Sequence, residues 1–206
     1  MVLQRLLSSV FPDLIFRINT SEKVLYLTFD DGPTEITPWV LEELKKFNAV
    51  ATFFCIGSNV EKYPELYSEI ISQSHSVGNH TMHHLNGWKT KTEKYIEDVD
   101  RCNSLLDHFQ FSTNYFRPPY GRITPSQYSS LKKNYRIAMW DVLSKDYDEK
   151  VSEEKCLERV ITKSKPGSIV VFHDSIKAEK NLRYVLPRVL EYFSEIHFSF
   201  ETLEQQ

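Results

Sequence analysis

The chain alternates between short apolar runs and segments with helical periodicity. Residues 24–29 are apolar or β-branched without a break, which predicts a strand buried on both faces. Further strands or short extended segments are predicted at residues 50–56, 76–81, 115–117, 135–142, 168–172 and 197–200. Apolar residues recur at helical spacing between them. About seven strands that alternate with helices predict parallel βα units. We therefore expect one α/β domain that closes into a barrel.

The first 22 residues precede this domain. Their apolar residues that recur at helical spacing are Val2, Leu3, Leu6, Leu7, Val10 and Phe11. We therefore predict a helical segment over residues 1–22 that packs on a domain covering residues 23–206. Two serines, a proline and an aspartate interrupt the segment, so it fits neither a secretory signal nor a membrane-spanning helix. We accordingly expect a cytoplasmic protein without stable membrane insertion.

Composition and charge narrow the class of protein. At 206 residues with 26% charged residues, the chain has the balance of an ordinary globular domain. A formal net charge of −3 offers no electrostatic basis for binding nucleic acid, and no basic run indicates an anionic membrane. Cys55, Cys102 and Cys156 are far apart and form no CxxC pair. We expect reduced, buried thiols.

Two adjacent carboxylates follow the strand predicted at residues 24–29. Asp30 and Asp31 stand before Gly32 and Pro33, so one interpretation is an ordinary turn. Two carboxylates at the end of an apolar strand are nevertheless costly without a cation or a proton-transfer role. The carboxyl ends of parallel strands are also where α/β folds form their active sites.

A histidine cluster offers candidate metal ligands. His75, His80, His83 and His84 lie within ten positions. On helical geometry, His80 and His84 lie one turn apart on the same side, as two ligands of one metal require. The alternative is a merely polar loop. Asp31 is the natural third ligand, because two histidines and a carboxylate leave one position open for water, as in catalytic zinc sites.

Other candidate residues also fall at predicted strand ends. Arg117 precedes two prolines, Asp146 follows a strand, and His173 comes directly after residues 168–172. Each has an ordinary explanation, as a surface arginine, a loop residue and a core histidine. Asp174 is most simply explained as a helix cap or turn residue. Their joint position with Asp30 at strand ends favours a common site.

Five motifs carry a resemblance to a known family. In order they are TFDDGP (28–33), HTMHH (80–84), RPPYG (117–121), WDVLSKDYD (140–148) and IVVFHDS (169–175). Together they resemble the polysaccharide deacetylases that share the NodB homology domain, carbohydrate esterase family 4. The resemblance covers about residues 23–203, nearly the whole chain.

The resemblance implies a distorted (β/α)7-type barrel and metal-dependent hydrolysis of an acetyl group on a sugar. The acetyl group is N-linked in most members and O-linked in others, and the substrate is a polymer such as chitooligosaccharide or peptidoglycan. By motif position, Asp31, His80 and His84 bind one divalent metal. The metal is commonly Zn²⁺, with Co²⁺ or Ni²⁺ as alternatives.

The resemblance also assigns roles in catalysis. Asp30 is the general base and His173 the general acid, while Arg117 and Asp146 hold and tune these two residues. Tyr120 lends its backbone N–H to the oxyanion. Elementary chemistry agrees with these roles, because a departing amine needs a proton and histidine supplies one near neutral pH.

Departures from the family pattern concern the substrate. Tyr147 stands where the fourth motif usually has Trp, and Leu143 stands where many members have Asp. The resemblance implies that both positions line the substrate groove, so it leaves the identity of the glycan open. The alternatives are an amidohydrolase acting on a small cyclic amide or ureide, and a catalytically silent glycan-binding relative. The silent relative predicts loss of a ligand or of the acid–base pair, and every one of these residues is present.

Overall fold

The computed structural model describes residues 11–109 and 113–203, and in these ranges the chain forms nine strands and seven helices. The strands are β1 (Leu14–Ile15), β2 (Val24–Asp30), β3 (Thr52–Cys55), β4 (Ser76–Asn79), β5 (Tyr115–Phe116), β6 (Arg136–Ala138), β7 (Val142–Leu143), β8 (Ile169–His173) and β9 (Ser199–Phe200). The helices are α1 (Thr37–Lys46), α2 (Gly57–Lys62), α3 (Pro64–Ser72), α4 (Thr92–His108), α5 (Pro125–Leu131), α6 (Glu153–Lys163) and α7 (Glu179–Glu195).

All the paired strands run parallel, in the order β1-β6-β5-β4-β3-β2-β8-β7. The long strand β2 lies between β3 and β8, and β9 pairs with its first residues. This curled parallel sheet with covering helices is the distorted (β/α)7-type barrel that the resemblance implied, so the predicted fold class is confirmed.

The two ends of the sheet meet at one segment of the chain. The strand predicted over residues 135–142 is wrong as a single element, because β6 pairs with β5 and β1, whereas β7 pairs with β8. The backbone changes partner between them, since Met139 N–H donates to the β1 carbonyl of Ile15 and Asp141 N–H donates to the β8 carbonyl of Ile169. The carbonyls of Ala138 and Met139 turn instead to the buried guanidinium of Arg117.

Strand β2 separates two parts of the core by the alternation of its side chains. The residues that pack with the covering helices are Leu25, Leu27 and Phe29. The residues on the interior side are Val24, Tyr26, Thr28 and Asp30. Strand β8 alternates in the same way, with Val170 and Phe172 toward the helices. The alternation that buries the apolar face therefore turns Asp30 inward.

Only part of the predicted N-terminal helical segment lies among the described residues. The apolar positions from Val2 to Val10 lie outside the described residues. Within residues 11–22, the predicted helical segment is wrong, because Leu14–Ile15 forms strand β1 and pairs with β6 of the sheet. Pro12 and Asp13 precede this strand, and proline restrains the preceding residue to extended backbone. An antiparallel bridge from Arg17 to Ser168 joins the same stretch to the start of β8.

The three cysteines are free and buried, as predicted. Within the two described ranges, none of the helices combines the length and the apolar character needed to cross a bilayer.

Candidate active site

The candidate residues converge on one cavity at the carboxyl ends of the strands. The cavity has a volume of about 550 Å³. Its lining includes the predicted residues Asp30, Asp31, His80, His84, Tyr120 and His173. Arg117 and Asp146 lie directly behind it, each in contact with a lining residue. The structure thus brings together all eight residues that the sequence predicted for the site.

Asp31, His80 and His84 form a cluster that fits a divalent cation. One potential ligand atom from each residue lies within 4.8 Å of the other two. Asp31 Oδ1 is 3.2 Å from His84 Nε2 and 3.7 Å from His80 Nε2. Two imidazole nitrogens and one carboxylate oxygen are a donor set for Zn²⁺ and similar metals that leaves positions open for water or substrate.

The environment of His80 prepares its ring for coordination. Its Nδ1 lies 2.8 Å from the carbonyl of Arg117, which can only accept a hydrogen bond, so Nδ1 carries the proton. Nε2 then presents a lone pair toward Asp31, as in the metal sites where a second hydrogen bond fixes the histidine tautomer. Burial lowers the pKa of His80 to about 4, which keeps the ring neutral.

The loop carrying the two histidines differs from the sequence prediction. Residues 80–84 are not helical, and both Thr81 and His84 have positive φ, at 65° and 54°. The loop is held by side chains, since Thr81 N–H donates to Asn79 Oδ1 and His83 N–H donates to Asp98 Oδ2. The spacing argument from helical geometry was therefore wrong, although the two rings do meet at Asp31.

The electrostatics of Asp31 favour its ionised form. Burial would raise its pKa, but a hydrogen bond with His84 and the nearby imidazoles of His173 and His80 outweigh burial and lower the pKa below its ordinary value. Its backbone has φ of 78°, and its carbonyl accepts a hydrogen bond from the Asn59 side chain. Such left-handed backbone in a non-glycine residue is common at functional sites.

Asp30 is held by a buried arginine. Arg117 Nη1 donates to Asp30 Oδ1 at 2.6 Å and to Thr28 Oγ1 at 2.8 Å, and its guanidinium lies 4.0 Å from the ring centroid of Phe54. Arg117 is fully buried, so Asp30 rather than water balances its charge, and backbone carbonyls accept its other hydrogen bonds. Because Arg117 contacts only Oδ1, the second oxygen of Asp30 stays available for proton transfer.

His173 and Asp146 form the second pair. His173 Nδ1 is 2.8 Å from Asp146 Oδ1, and the His173 N–H donates to Asp146 Oδ2 at the same distance. Burial alone would lower the pKa of His173, but the Asp146 carboxylate raises it to about 9, with smaller contributions from Asp30 and Asp31. A protonated imidazole whose Nδ1–H is bonded to Asp146 has its Nε2–H free to donate to a substrate.

Tyr120 lies at the rim of the cavity. Its side chain is 60% exposed, and its ring centroid is 4.6 Å from that of His84. Its backbone has φ of 60°, in the left-handed region, and the next residue, Gly121, has φ of 64°. Within residues 11–109 and 113–203, its backbone N–H donates to no carbonyl, whereas Gly121 and Arg122 donate to Pro118 and Pro119.

Two residues that the sequence had assigned to turns support the site. Asp174 is fully buried and accepts a hydrogen bond from the Thr37 hydroxyl, and burial raises the pKa of Asp174 to about 8. A methyl group on Gly32 would overlap the Asp174 carboxylate. Gly32 therefore allows the Asp30-Asp31 turn to lie directly on Asp174. The only sequence signal for this contact was the position of each residue beside a predicted site residue.

Gly32→Ala is therefore expected to lower the free energy of unfolding by about 1–3 kcal/mol, in the range of overpacked cores, and to weaken metal binding by displacing Asp31. Unfolding midpoints and metal titration measure the two effects. Asp174→Ala in the same chain removes the overlapping carboxylate. The free energy of unfolding should therefore fall less in the double variant than the sum of its decreases in the two single variants. Strictly additive losses would show that the two groups do not collide.

The remaining histidines of the cluster have structural contacts. His75 accepts a hydrogen bond from the Ala51 N–H and lies against Phe53 in the core. His83 bonds through Nδ1 to Asp98, away from the metal-ligand cluster.

Leu143 and Tyr147, the positions that depart from the family pattern, both line the cavity. That these two residues contact substrate rather than perform the chemistry stays a prediction.

Comparisons with known proteins bear on the family. The polysaccharide deacetylase family profile matches residues 17–137. A peptidoglycan-N-acetylglucosamine deacetylase of Bacillus cereus is 36% identical over 152 residues, which are 72% of this chain and 55% of that relative. The chain thus spans about half the length of this relative. A chitooligosaccharide deacetylase of Azorhizobium caulinodans is 32% identical over 162 residues, 77% of each chain.

The fold comparison agrees with the sequence comparison. The crystal structure of a peptidoglycan N-acetylglucosamine deacetylase superimposes with a TM-score of 0.88 at 29% identity, covering 94% of this chain and 92% of that one. The family profile covers more than half of the chain. As the five motifs predicted, the chain belongs to the polysaccharide deacetylase family.

Proposed function

We propose that this protein is a metal-dependent hydrolase that removes acetyl groups from an N-acetylated sugar polymer. The observation that carries the proposal is the presence of two separate proton-transfer pairs beside one metal-ligand cluster. Asp30 is paired with Arg117, His173 is paired with Asp146, and both pairs meet the cluster in one cavity. A module that only binds glycans needs neither pair.

The cluster of Asp31, His80 and His84 is proposed to hold one Zn²⁺, with Co²⁺ or Ni²⁺ as alternatives suited to the same nitrogen and oxygen donors. When bound, such a cation acidifies water and polarises the acetyl carbonyl. The ionised Asp31 and the neutral His80 are the protonation states that this binding requires.

The chain's own residues are proposed to move the protons. Asp30 accepts a proton from the attacking water through the oxygen that Arg117 does not contact. The Tyr120 N–H stabilises the oxyanion that develops from the acetyl carbonyl. His173 donates its Nε2 proton to the departing nitrogen, while Asp146 holds the ring in place. An amine cannot leave as an anion in water, so this donor favours an N-acetyl substrate over an O-acetyl one.

The relatives suggest the substrate class. Their names describe deacetylases of peptidoglycan and of chitooligosaccharide, and both are polymers of N-acetylated amino sugars. We propose the same class for this chain, with an O-acetylated sugar as the second candidate. The cyclic-amide alternative is less well supported, because the exposed Tyr120 at the rim suits a ligand that extends beyond the cavity.

The cytoplasmic location and the absence of a nucleic-acid partner stay predictions from the sequence. A cytoplasmic location would place the enzyme beside soluble glycan precursors or fragments rather than assembled cell-wall polymer.

Acetate release from defined substrates tests the proposed function. N-acetylglucosamine oligomers, peptidoglycan fragments and acetylated xylan are each incubated with metal-loaded protein, with chelator-treated protein and with chelator-treated protein after metal is restored. We expect acetate from one of the amino-sugar substrates, loss of activity with chelator, and recovery with Zn²⁺. A cyclic amide and a cyclic ureide are offered in parallel, and their ring opening is followed directly. Ring opening without acetate release from any glycan, or metal binding without hydrolysis of any substrate, would contradict the proposal.

A further inference from the structure

An exposed aromatic residue next to the cavity has no role in the chemistry described above. Trp88 is 65% exposed, the second highest value among the large hydrophobic side chains of the described residues. It lies in the short 3₁₀ turn Gly87–Lys89, which follows the loop of the metal-ligating histidines. Exposed aromatic rings beside a ligand cavity are typical of surfaces that contact ligands.

The Trp88 side chain is held in a fixed position. Its indole Nε1–H donates to the carbonyl of Ile123 at 3.3 Å. A Cβ on Gly87 would overlap the carbonyl of Arg122, so the absence of a side chain lets the turn lie directly against this segment. The fully buried Gln127 joins the two by donating to the carbonyl of Gly87 at 2.9 Å. The ring is thus preorganised rather than freely mobile.

Arg122 places a positive charge beside this ring. Its guanidinium lies 5.1 Å from the ring centroid of Trp88 and 6.0 Å from that of Tyr120. Among the ion pairs of residues 11–109 and 113–203, none involves Arg122. Arg122 also lines the cavity that contains the metal-ligand cluster. Its charge therefore lies beside the ligand-binding region and has no carboxylate partner among the described residues.

Tyr120 connects the two regions. Its ring contacts that of His84 on one side, at 4.6 Å, and is near Arg122 on the other. A chain of sugars with one residue in the cavity would therefore pass over Tyr120 and reach Trp88 and Arg122. The apolar face of a sugar ring packs well on an indole, and a guanidinium binds a carboxylate through two parallel hydrogen bonds.

We propose that Trp88 and Arg122 form a second sugar subsite, which takes a neighbouring residue of the same glycan that carries a carboxylate. The inference rests on the proposed function and refines its substrate. It favours glycans in which amino sugars alternate with acidic sugars, such as peptidoglycan strands whose muramic acid carboxylates carry no stem peptide, over the neutral chitooligosaccharides.

Three glycans of equal length test the subsite. The first is a peptidoglycan-derived oligomer with free carboxylates, the second is the same oligomer after its carboxylates are reduced to alcohols, and the third is an N-acetylglucosamine oligomer. Trp88→Ala, Arg122→Gln and Arg122→Lys are compared with Lys89→Gln, a control that removes an exposed cation beside Trp88. Acetate release gives kcat and KM, and calorimetry gives the affinity for the deacetylated products.

Arg122→Gln should raise KM for the carboxylated glycan about tenfold or more and leave KM for the two neutral glycans unchanged, because a charge-assisted hydrogen bond is lost. Arg122→Lys should recover part of this affinity. Trp88→Ala should raise KM for all three glycans, because ring packing does not depend on charge. Lys89→Gln should resemble the wild type.

Two patterns would overturn the subsite. In one, the wild type is active and both Trp88→Ala and Arg122→Gln retain its KM values and product affinities, so the proposed function stands without the subsite. In the other, Arg122→Gln weakens the binding of all three glycans equally, which would show that Arg122 does not recognise a carboxylate. If the wild type released no acetate but bound carboxylated products through Trp88 and Arg122, the proposed function would fail and the subsite would remain.

Discussion

Asp30→Asn is expected to retain the bound metal and to lose about 10²–10⁴-fold in turnover, the range typical for removal of a general base. The amide has nearly the same shape as the carboxylate, and its oxygen can still accept the hydrogen bond from Arg117 Nη1. What is lost is the basic oxygen that faces the cavity. Elemental analysis gives the metal content, and acetate release at saturating substrate gives kcat.

The matched control is the neighbouring residue. Asp31→Asn changes the same functional group one position away, but Asp31 Oδ1 is the atom that faces both His80 Nε2 and His84 Nε2. This variant should therefore lose metal first and recover part of its activity at high metal concentration. Equal metal loss in both variants, with activity falling in step, would show that the two carboxylates do not have separate roles.

The separation of these roles follows only in part from a pattern that the sequence could reveal. Alternation along β2 faces Leu27 and Phe29 toward the helices and therefore turns Asp30 toward the interior. Asp31 lies beyond the last strand residue, where φ of 78° breaks the alternation. The apolar run thus predicted the strand and its end. The direction of Asp30 is known from the structure, because an unbroken apolar run does not show which face is interior. The direction of Asp31 depends on a backbone conformation that no periodicity predicts.

The histidine loop shows the limit of pattern arguments. The spacing of His80 and His84 suggested a helix, but two residues with positive φ bring the rings together in a loop. The contacts that hold this loop come from Asn79 and from Asp98 on α4. These partners are long-range or depend on the local backbone, so hydrophobic periodicity carries no information about them.

Arg117 contacts the chain at a second point where structure and prediction differ. A single strand was the natural prediction for residues 135–142, because the run is largely apolar. Arg117, however, hydrogen-bonds the carbonyls of Ala138 and Met139 as well as Asp30. A fully buried cation requires such acceptors, and they are taken from the point where the chain passes from β6 to β7. The side chain that positions Asp30 therefore also binds the two carbonyls at the point where the strand is interrupted.

The second large effect is expected at His173. His173→Ala should retain metal, because His173 is not in the cluster of Asp31, His80 and His84. Its turnover of an N-acetyl sugar should fall by about 10²–10⁴-fold, since the departing amine loses its proton donor. Turnover of an activated ester, whose leaving group needs no proton, should fall much less. Metal analysis and kcat on the two substrates measure the difference.

The pH dependence provides an independent measurement of the same role. A general acid must be protonated, so kcat/KM falls as pH rises through its pKa. The Asp146 carboxylate outweighs burial and raises the pKa of His173 to about 9, so Asp146 holds the alkaline limb of the wild-type profile at higher pH than burial alone would. Asp146→Asn removes the carboxylate and leaves burial to lower the pKa. The alkaline limb should then move to lower pH, and activity near pH 7 should fall.

The two variants of this pair distinguish catalysis from simple support of the fold. If Asp146 only stabilised the barrel, Asp146→Asn would lower the unfolding temperature and would leave the shape of the pH profile unchanged. If it tunes His173, the alkaline limb moves even in the fraction that remains folded, and the limb disappears in His173→Ala. Equal losses on amide and activated ester in His173→Ala, or an alkaline limb that stays in place in both variants, would return His173 to the role of a structural histidine.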